Sequence, residues 1–235
     1  MHVPDGFLNA PTSIATGVVA AGAVALCLRG ARRELDDRTA PLAGIVAAFV
    51  FAAQMINFPV AGGTSGHLMG GALAAALVGP WTGTLCVAVV LIVQALVFAD
   101  GGLTALGTNV VLISVCTVAV SYVVMRGLLR VLPRGRGGTL AAVFAGALIS
   151  VPAAALVFVG LFAVGGTVAV PLGGFTGAML GVHLLVGLGE ALITTLVVGA
   201  VLAARPDLVF LTRDQRRPLE LRDSVAPASP TGARS

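Results

Sequence analysis

Lysine is absent from this sequence, and charged residues of all kinds make up only 10% of its 235 positions. A phosphate-binding loop of the Gly-x-x-x-x-Gly-Lys-Ser/Thr type needs its lysine, so the chain contains no ATP-binding loop of that kind. The three cysteines lie inside apolar runs at spacings that match neither a zinc motif nor a redox pair; they are Cys27, Cys86 and Cys116. We therefore expect no disulfide, no organic cofactor and no enzymatic activity in this chain.

Apolar residues, by contrast, are abundant. They make up 57% of the chain, and the mean hydropathy is +1.03. Long apolar runs with so few charges are typical of polytopic membrane proteins. We predict an all-α helical bundle of about seven segments, near residues 12–28, 40–58, 67–78, 82–98, 109–125, 140–164 and 175–204. The third segment is too short to cross about 30 Å of hydrocarbon alone, so neighbouring helices must shelter it or it must be re-entrant.

The fourteen arginines fall in three stretches, residues 29–38, 126–136 and 205–234, each of which follows an odd-numbered segment. The positive-inside rule then predicts an outside amino terminus and a cytoplasmic carboxy terminus in a multi-pass protein of the cell membrane. Arginines follow the first apolar run rather than precede it, so we expect a retained helix and not a signal peptide. We divide the chain into a membrane metal-binding domain, 1–204, and a cytoplasmic tail, 205–235, whose end from residue 224 is expected to be disordered.

Histidine is as scarce as cysteine, but two of the three histidines share the outer side in this topology. Met1 and His2 together offer an amino group, a peptide nitrogen and an imidazole, which form fused chelate rings around a metal. His67, at the start of the third segment, offers a fourth nitrogen. Four nitrogens suit Ni(II), Cu(II) and Co(II), whereas Mg²⁺ and Ca²⁺ prefer oxygen ligands. We therefore predict a transition-metal site at Met1, His2 and His67.

Four stretches of the sequence resemble the CbiM/NikM family, the substrate-binding membrane components of energy-coupling-factor importers of cobalt and nickel. They are MHVPDGF at 1–7, NFPVAGGTSGHLMGG at 57–71, FADGG at 98–102 and GVHLLVGLGEALIT at 181–194. The resemblance implies that the amino-terminal segment enters the bundle and that the Met1 amine, the backbone and side chain of His2 and the His67 imidazole hold Co(II) or Ni(II) as the transported substrate. The ligand set does not decide between the two metals.

The resemblance also implies partners. Transport in this family depends on a coupling transmembrane subunit, a small accessory membrane subunit and two cytoplasmic ATPases. The missing ATP-binding loop agrees with that dependence, because the energy must then come from another chain. We expect these subunits and the membrane as partners, and no nucleic acid.

Five further polar residues are candidates for supporting the metal ligands or for forming a buried network: Asn57, Thr64, Ser65, His183 and Glu190. His183 and Glu190 lie two helical turns apart on one face of the last segment, where a carboxylate must be protonated, hydrogen-bonded or paired. We favour a structural network for these two, because buried polar groups must be satisfied whatever their purpose.

Two alternative functions use the same residues. Ser65 and His183 fit the serine–histidine dyad of an intramembrane protease, although short patterns of this kind arise often by chance in a chain rich in glycine and alanine. His183 and Glu190 could instead serve a proton-coupled cation carrier that acts alone. The protease alternative leaves the Met1-His2 terminus unexplained.

Overall fold

Seven helices, α1 to α7, follow one another along the residues that the computed structural model describes, which are 1–35, 39–56, 58–59 and 64–215. They span Ala10–Ala31, Thr39–Gln54, Gly71–Val78, Pro80–Val97, Leu106–Leu128, Arg136–Gly165 and Leu172–Ala204. Each helix coincides with one of the seven apolar segments. The predicted all-α membrane bundle is therefore confirmed.

The helices differ in how far they can reach across a bilayer. Five of them, α1, α4, α5, α6 and α7, are long and apolar enough to cross a membrane. Helix α2 has 16 residues, which rise about 24 Å at 1.5 Å per residue and so fall short of about 30 Å of hydrocarbon. Helix α3 has only eight residues, all of them buried. The third segment is therefore sheltered by the rest of the bundle, and whether it is also re-entrant stays open.

A short strand pair explains why α2 and α3 are shorter than the predicted segments 40–58 and 67–78. Phe58–Pro59 pairs in antiparallel register with Ser65–Gly66, and Phe58 lies opposite Gly66. The chain has therefore left the helical path after Gln54. It re-enters only at Gly71, after Gly70, whose φ of +78° belongs to the left-handed region where glycine carries no steric cost.

The ends of α1, α5 and α7 meet at one end of the bundle. Arg126, near the end of α5, forms an ion pair with Asp214, which lies after α7, at 2.9 Å. Glu34, just after α1, accepts a hydrogen bond from the backbone N–H of Thr82 at 2.7 Å, in the first turn of α4, and interacts with the charge of Arg213. This is the arrangement that the arginine pattern predicts, and which side of the membrane it faces stays a prediction.

The chain beyond α7 continues in two short 3₁₀ helices, Pro206–Leu208 and Phe210–Gln215. Val209 and Leu211 are buried against the bundle, so this part of the tail is packed. The region expected to be disordered, residues 224–235, lies outside the described residues. The division into a membrane domain and a tail stays a prediction.

Helices α1 and α5 pack closely against each other at two glycines, Gly17 and Gly107. A Cβ atom built on Gly107 would lie 2.4 Å from the Cα atom of Gly17, and beside this contact the hydroxyls of Thr16 and Thr108 are 2.7 Å apart. The close approach therefore depends on the missing side chain of Gly107.

We predict that Gly107→Ala lowers the thermal unfolding midpoint of the detergent-solubilised protein by several degrees, because overpacking costs about 1–3 kcal/mol. Gly17→Ala is the matched control, since a Cβ at Gly17 meets nothing within 4 Å. Differential scanning fluorimetry of both variants gives the comparison. Equal midpoints for Gly107→Ala and the unsubstituted protein would contradict the contact.

Candidate metal centre

The nine residues ahead of α1 form a segment that enters the bundle. Met1 and Val3 have no exposed surface, and Phe7 is 2% exposed. The Phe7 ring lies 5.4 to 5.8 Å from three rings of α6 and α7, namely Phe158, Phe162 and Phe175. The backbone N–H of Asn9 donates to the carbonyl of Gly165 at 2.7 Å. The structure thus places the amino-terminal segment inside the bundle.

A polar clamp from α5 and the turn before it holds this segment. The Asn109 amide accepts from the Val3 N–H at 2.8 Å and donates to the Val3 carbonyl at 3.2 Å. The backbone N–H of Gly102 donates to the same carbonyl at 2.9 Å. At the surface, the Asp5 carboxylate accepts from the Thr104 N–H at 2.7 Å. These bonds fix the depth to which Met1 and His2 are inserted.

Two nitrogens of the predicted site lie next to each other. The amino nitrogen of Met1 is 2.5 Å from Nε2 of His67. The other ring nitrogen of His67, Nδ1, donates to the carbonyl of Leu68 at 2.7 Å. Because Nδ1 carries the proton, the lone pair of Nε2 points at the amine. Both residues are buried, and burial lowers the pKa of the Met1 amino group well below its ordinary value of 8.0.

The His2 ring stacks on the His67 ring, with centroids 4.4 Å apart and planes inclined by 30°. Its Nδ1 atom lies 3.1 Å from the Asp100 carboxylate, in the turn that follows α4. Both ring nitrogens of His2 are buried, and the side chain of Gln94 on α4 also interacts with the ring. A carboxylate beside an imidazole fixes the ring orientation of many metal-binding histidines.

This donor set is suited to a transition metal. It consists of two imidazoles, an amino group and the peptide nitrogen of His2, all of them buried with Met1, His2 and His67. Within the described part of the chain, no three histidine, cysteine, aspartate or glutamate residues cluster as a side-chain metal site. A metal here would therefore depend on backbone and terminal nitrogens as well as on the imidazoles.

The loop that carries His67 is anchored by polar side chains of α2 and α7. The Glu190 carboxylate accepts from the N–H of Met69 at 2.6 Å and from the N–H of Gly70 at 3.0 Å. The Gln54 amide donates to the carbonyl of Met69 at 2.7 Å. Glu190 thus satisfies backbone donors at the start of α3, which is the kind of buried network expected of it.

The other predicted residues fall in different places. Thr64 is buried, 3% exposed, just ahead of the second strand. His183 is wholly buried on α7, and its Nδ1 donates to the carbonyl of Met179 at 2.8 Å. Asn57 and the side chain of Ser65 lie outside the part of the chain that the structure describes. The structure therefore bears on Thr64 and His183 only.

Sequence reasoning missed three residues that hold the site together: Asp100 beside His2, Asn109 on Val3, and Gln54 on Met69. Gln54 and Asn109 share a signal, because each is an amide in an otherwise apolar helix, where it must find a partner.

We predict that Asn109→Leu weakens binding of Ni(II) or Co(II) about tenfold or more. Each net hydrogen bond lost is worth about 1 kcal/mol, and 1.4 kcal/mol corresponds to a factor of ten in affinity. The control is Ser121→Ala on the same helix, since the Ser121 hydroxyl donates within that helix to the carbonyl of Val118. Calorimetry on both variants makes the test, and equal affinities would show that the clamp does not position the terminus.

We predict that Glu190→Gln lowers stability while metal affinity stays near normal. Glutamine keeps the shape and one acceptor but leaves one of the two backbone donors unpaired, at a cost of about 1–3 kcal/mol. Thermal unfolding and metal calorimetry on the same preparation separate the two effects. A large loss of affinity in a protein of normal stability would mean that the charge of Glu190 supports a metal ligand.

Comparisons with known proteins identify the family of this chain. The family model described as cobalt uptake substrate-specific transmembrane region matches residues 2–208. A protein of Haloquadratum walsbyi that is assigned by name to metal transport is 41% identical over 212 residues, which cover 89% of this chain and 94% of that protein. A protein of Archaeoglobus fulgidus, assigned by name as a fused nickel transport protein, NikMN, is 43% identical over 216 residues, or 89% of this chain and 68% of that protein.

The crystal structure of a transition metal transporter has a similar fold. It superposes with a TM-score of 0.75 at 27% identity, and the match covers 92% of this chain and 100% of that one. The family model, at residues 2–208, spans the amino-terminal segment from His2 onward and all seven helices. The chain belongs to the CbiM/NikM family of multi-pass membrane proteins for metal transport.

Proposed function

We propose that this chain is the substrate-binding membrane subunit of an ATP-driven energy-coupling-factor importer for Co(II) or Ni(II). The Met1 amine, the backbone and side chain of His2 and the His67 imidazole hold the metal. The observation that carries the proposal is the 2.5 Å approach of the Met1 nitrogen to Nε2 of His67, with the His2 ring stacked alongside. A sequence separation of 66 positions makes this contact a product of the whole fold.

Each nitrogen has a defined task in the proposed site. The amino nitrogen of Met1, the peptide nitrogen of His2 and the His2 imidazole form the fused chelate rings. His67 adds its Nε2 lone pair, because its Nδ1 is engaged by the Leu68 carbonyl. Asp100 lies beside the His2 ring. A half-turn of this ring about its Cβ–Cγ bond moves Nδ1 to the position of Cδ2, where it is free for the chelate, and Nε2 to the position of Cε1, on the side of Asp100. The metal is the cargo, so the site must bind it and later release it.

In this proposal, partner subunits supply the energy for transport and the other membrane components of the importer. The chain has no lysine, and so no ATP-binding loop of the common type. The fused NikMN relative supports an accessory membrane partner, since this chain covers only 68% of that protein. We propose a coupling membrane subunit, a small accessory subunit and two cytoplasmic ATPases as partners, with the amino terminus outside and the arginine-bearing end in the cytoplasm.

The two alternative functions have less support. Membership in a metal-uptake family favours transport over proteolysis by Ser65 and His183. The carrier hypothesis needs Glu190 to exchange protons, but both of its carboxylate oxygens accept backbone hydrogen bonds that hold the start of α3. Liposomes that contain this chain alone should therefore take up no cobalt or nickel. Uptake in the absence of ATPases would support the proton-coupled carrier.

We predict that one extra glycine ahead of Met1 abolishes binding of Ni(II) and Co(II) while the protein stays folded. The extension turns the amino group into a peptide nitrogen and moves the new terminus away from His67. Controls are the same glycine added at the carboxy terminus, which should bind normally, and intact-mass measurement of the unextended protein, which should begin with an unmodified Met1. If calorimetry shows that the extended protein binds Ni(II) or Co(II) with unchanged affinity, the proposed site is wrong.

A second prediction distinguishes the two imidazole ligands from a neighbouring side chain, Ser65, in the loop that carries His67. His2→Ala and His67→Ala each reduce bound metal to background, because each removes a ligand. Ser65→Ala has a smaller effect, since a serine in this loop can only orient a ligand. Inductively coupled plasma mass spectrometry after dialysis measures the metal content of the three variants and so compares the effects of the substitutions. Full metal content in His67→Ala would contradict the proposal.

A further inference from the structure

The turn that follows α4, residues 98–102, lies directly against the amino-terminal segment. In this turn, the Asp100 carboxylate lies 3.1 Å from Nδ1 of His2. Two residues further along the chain, the N–H of Gly102 donates to the carbonyl of Val3 at 2.9 Å. The turn therefore contacts a proposed metal ligand and also the residue that follows this ligand in the sequence.

Gly102 comes so close to the amino-terminal segment that no side chain fits between them. A Cβ atom built on Gly102 would overlap the backbone nitrogen of Asp5 and would lie 2.7 Å from the carbonyl carbon of Pro4. Carbon atoms that are not bonded pack best at about 3.5–4.0 Å, so a side chain here would need a shift of about 1 Å. The φ angle of Gly102 lies outside the left-handed region, so the contact itself requires the glycine.

The preceding residue, Gly101, is constrained in two ways. Its φ of +92° belongs to the left-handed region, where glycine carries no steric cost. A Cβ atom built on Gly101 would also lie 3.1 Å from Cδ2 of the His2 ring and 3.0 Å from the amide nitrogen of Asn109. Two consecutive glycines thus let the turn pack against both the His2 ring and the backbone of residues 4 and 5.

The turn is itself held in place by α4. The N–H groups of Phe98 and Asp100 both donate to the carbonyl of Gln94 at 3.1 Å. Between them, Ala99 has a φ of +52°, a left-handed conformation that costs a residue with a Cβ atom about 1–2 kcal/mol. Such a conformation persists only where the surrounding structure fixes the backbone. We therefore expect the turn to resist displacement by an added side chain.

The amino-terminal segment would have to move instead. On one side of the contact, Phe7 is buried among aromatic rings of α6 and α7. On the other side, Val3 alone separates Pro4 from the first two residues of the chain. A shift of Pro4 and Asp5 is therefore passed on toward the terminus.

We propose that Gly102 is a positioning residue for the metal, because the absence of a side chain at this position sets how deeply the terminus enters the bundle. The inference rests on the function proposed above. Distances between a metal and its ligands in proteins hold to within about 0.2 Å. A displacement of about 1 Å at the Met1 nitrogen exceeds that tolerance several-fold. Gly102 thus acts through the terminus and does not itself bind the metal.

Gly102→Ala in the full chain tests the inference. We expect calorimetry to show affinities for Ni(II) and Co(II) that are about tenfold or more weaker. The visible spectrum of bound Ni(II) should also change, because the displaced terminus can no longer complete four nitrogens in a plane. Unchanged affinity for both metals in a folded Gly102→Ala protein would overturn the inference.

Gly146→Ala is the matched control for packing. A Cβ atom built on Gly146 in α6 would lie 2.7 Å from Cγ of Met125 and 2.9 Å from the carbonyl oxygen of Ser121, both in α5. The same substitution thus overpacks the bundle without a close contact to the amino-terminal segment. We expect a lower thermal unfolding midpoint and near-normal metal affinity. If Gly146→Ala loses as much affinity as Gly102→Ala, the loss reflects general packing and the inference is wrong.

Hydrogen exchange on the unsubstituted protein gives a second measurement that needs no variant. Because the Gly102 N–H donates to the Val3 carbonyl, its exchange rate reports whether the turn holds the terminus. We expect slow exchange at this amide, and slower exchange once Ni(II) is bound. Exchange at the rate of a free amide in the Ni(II)-loaded protein would overturn the inference, even if Gly102→Ala does not fold.

These outcomes are distinct from failure of the proposed site. If His67→Ala keeps its metal, the site at Met1, His2 and His67 is wrong. If His67→Ala loses its metal while Gly102→Ala binds normally, that site stands and only the role of Gly102 is refuted.

Discussion

Backbone N–H groups at the start of α3 lie inside a membrane bundle, and the rest of the site depends on how they are satisfied. All eight residues of α3 are buried, so the first backbone donors of this helix need partners from the protein. Glu190 supplies them at Met69 and Gly70, and Gln54 holds the Met69 carbonyl. These bonds anchor Met69 and Gly70, and they thereby hold the preceding residues, including His67, in place.

The amino-terminal segment meets this fixed loop from the other side. Phe7 is buried among rings of α6 and α7, and Asn109 binds both backbone groups of Val3. Two independently anchored stretches thus bring the Met1 nitrogen to His67. The proposed site, assembled in this way, needs few dedicated side chains, which suits a chain with three histidines and little charge. Metal binding at the proposed site would depend on an unaltered terminus.

Hydrophobic pattern and arginine placement predicted the number and order of the helices, because both follow directly from the cost of polar groups in hydrocarbon. They missed where α2 ends, since the pairing of Phe58 with Gly66 is a contact across a turn that periodicity does not record. Ligand chemistry selected Met1, His2 and His67, and the fold brings them together; their role as metal ligands stays a prediction. The roles of Asp100 and Asn109 were not, because each depends on a partner about a hundred positions away in the chain.

The most direct test of the account is the position of the bound metal in the folded protein. Crystals of the full chain grown with Ni(II) or Co(II), and measured at the absorption edge of that metal, would show the ion as an anomalous difference peak. The account predicts one peak within about 2 Å of the Met1 nitrogen, a His2 ring nitrogen and Nε2 of His67. A peak elsewhere, for example between His183 and Glu190 with no contact to Met1, would contradict it.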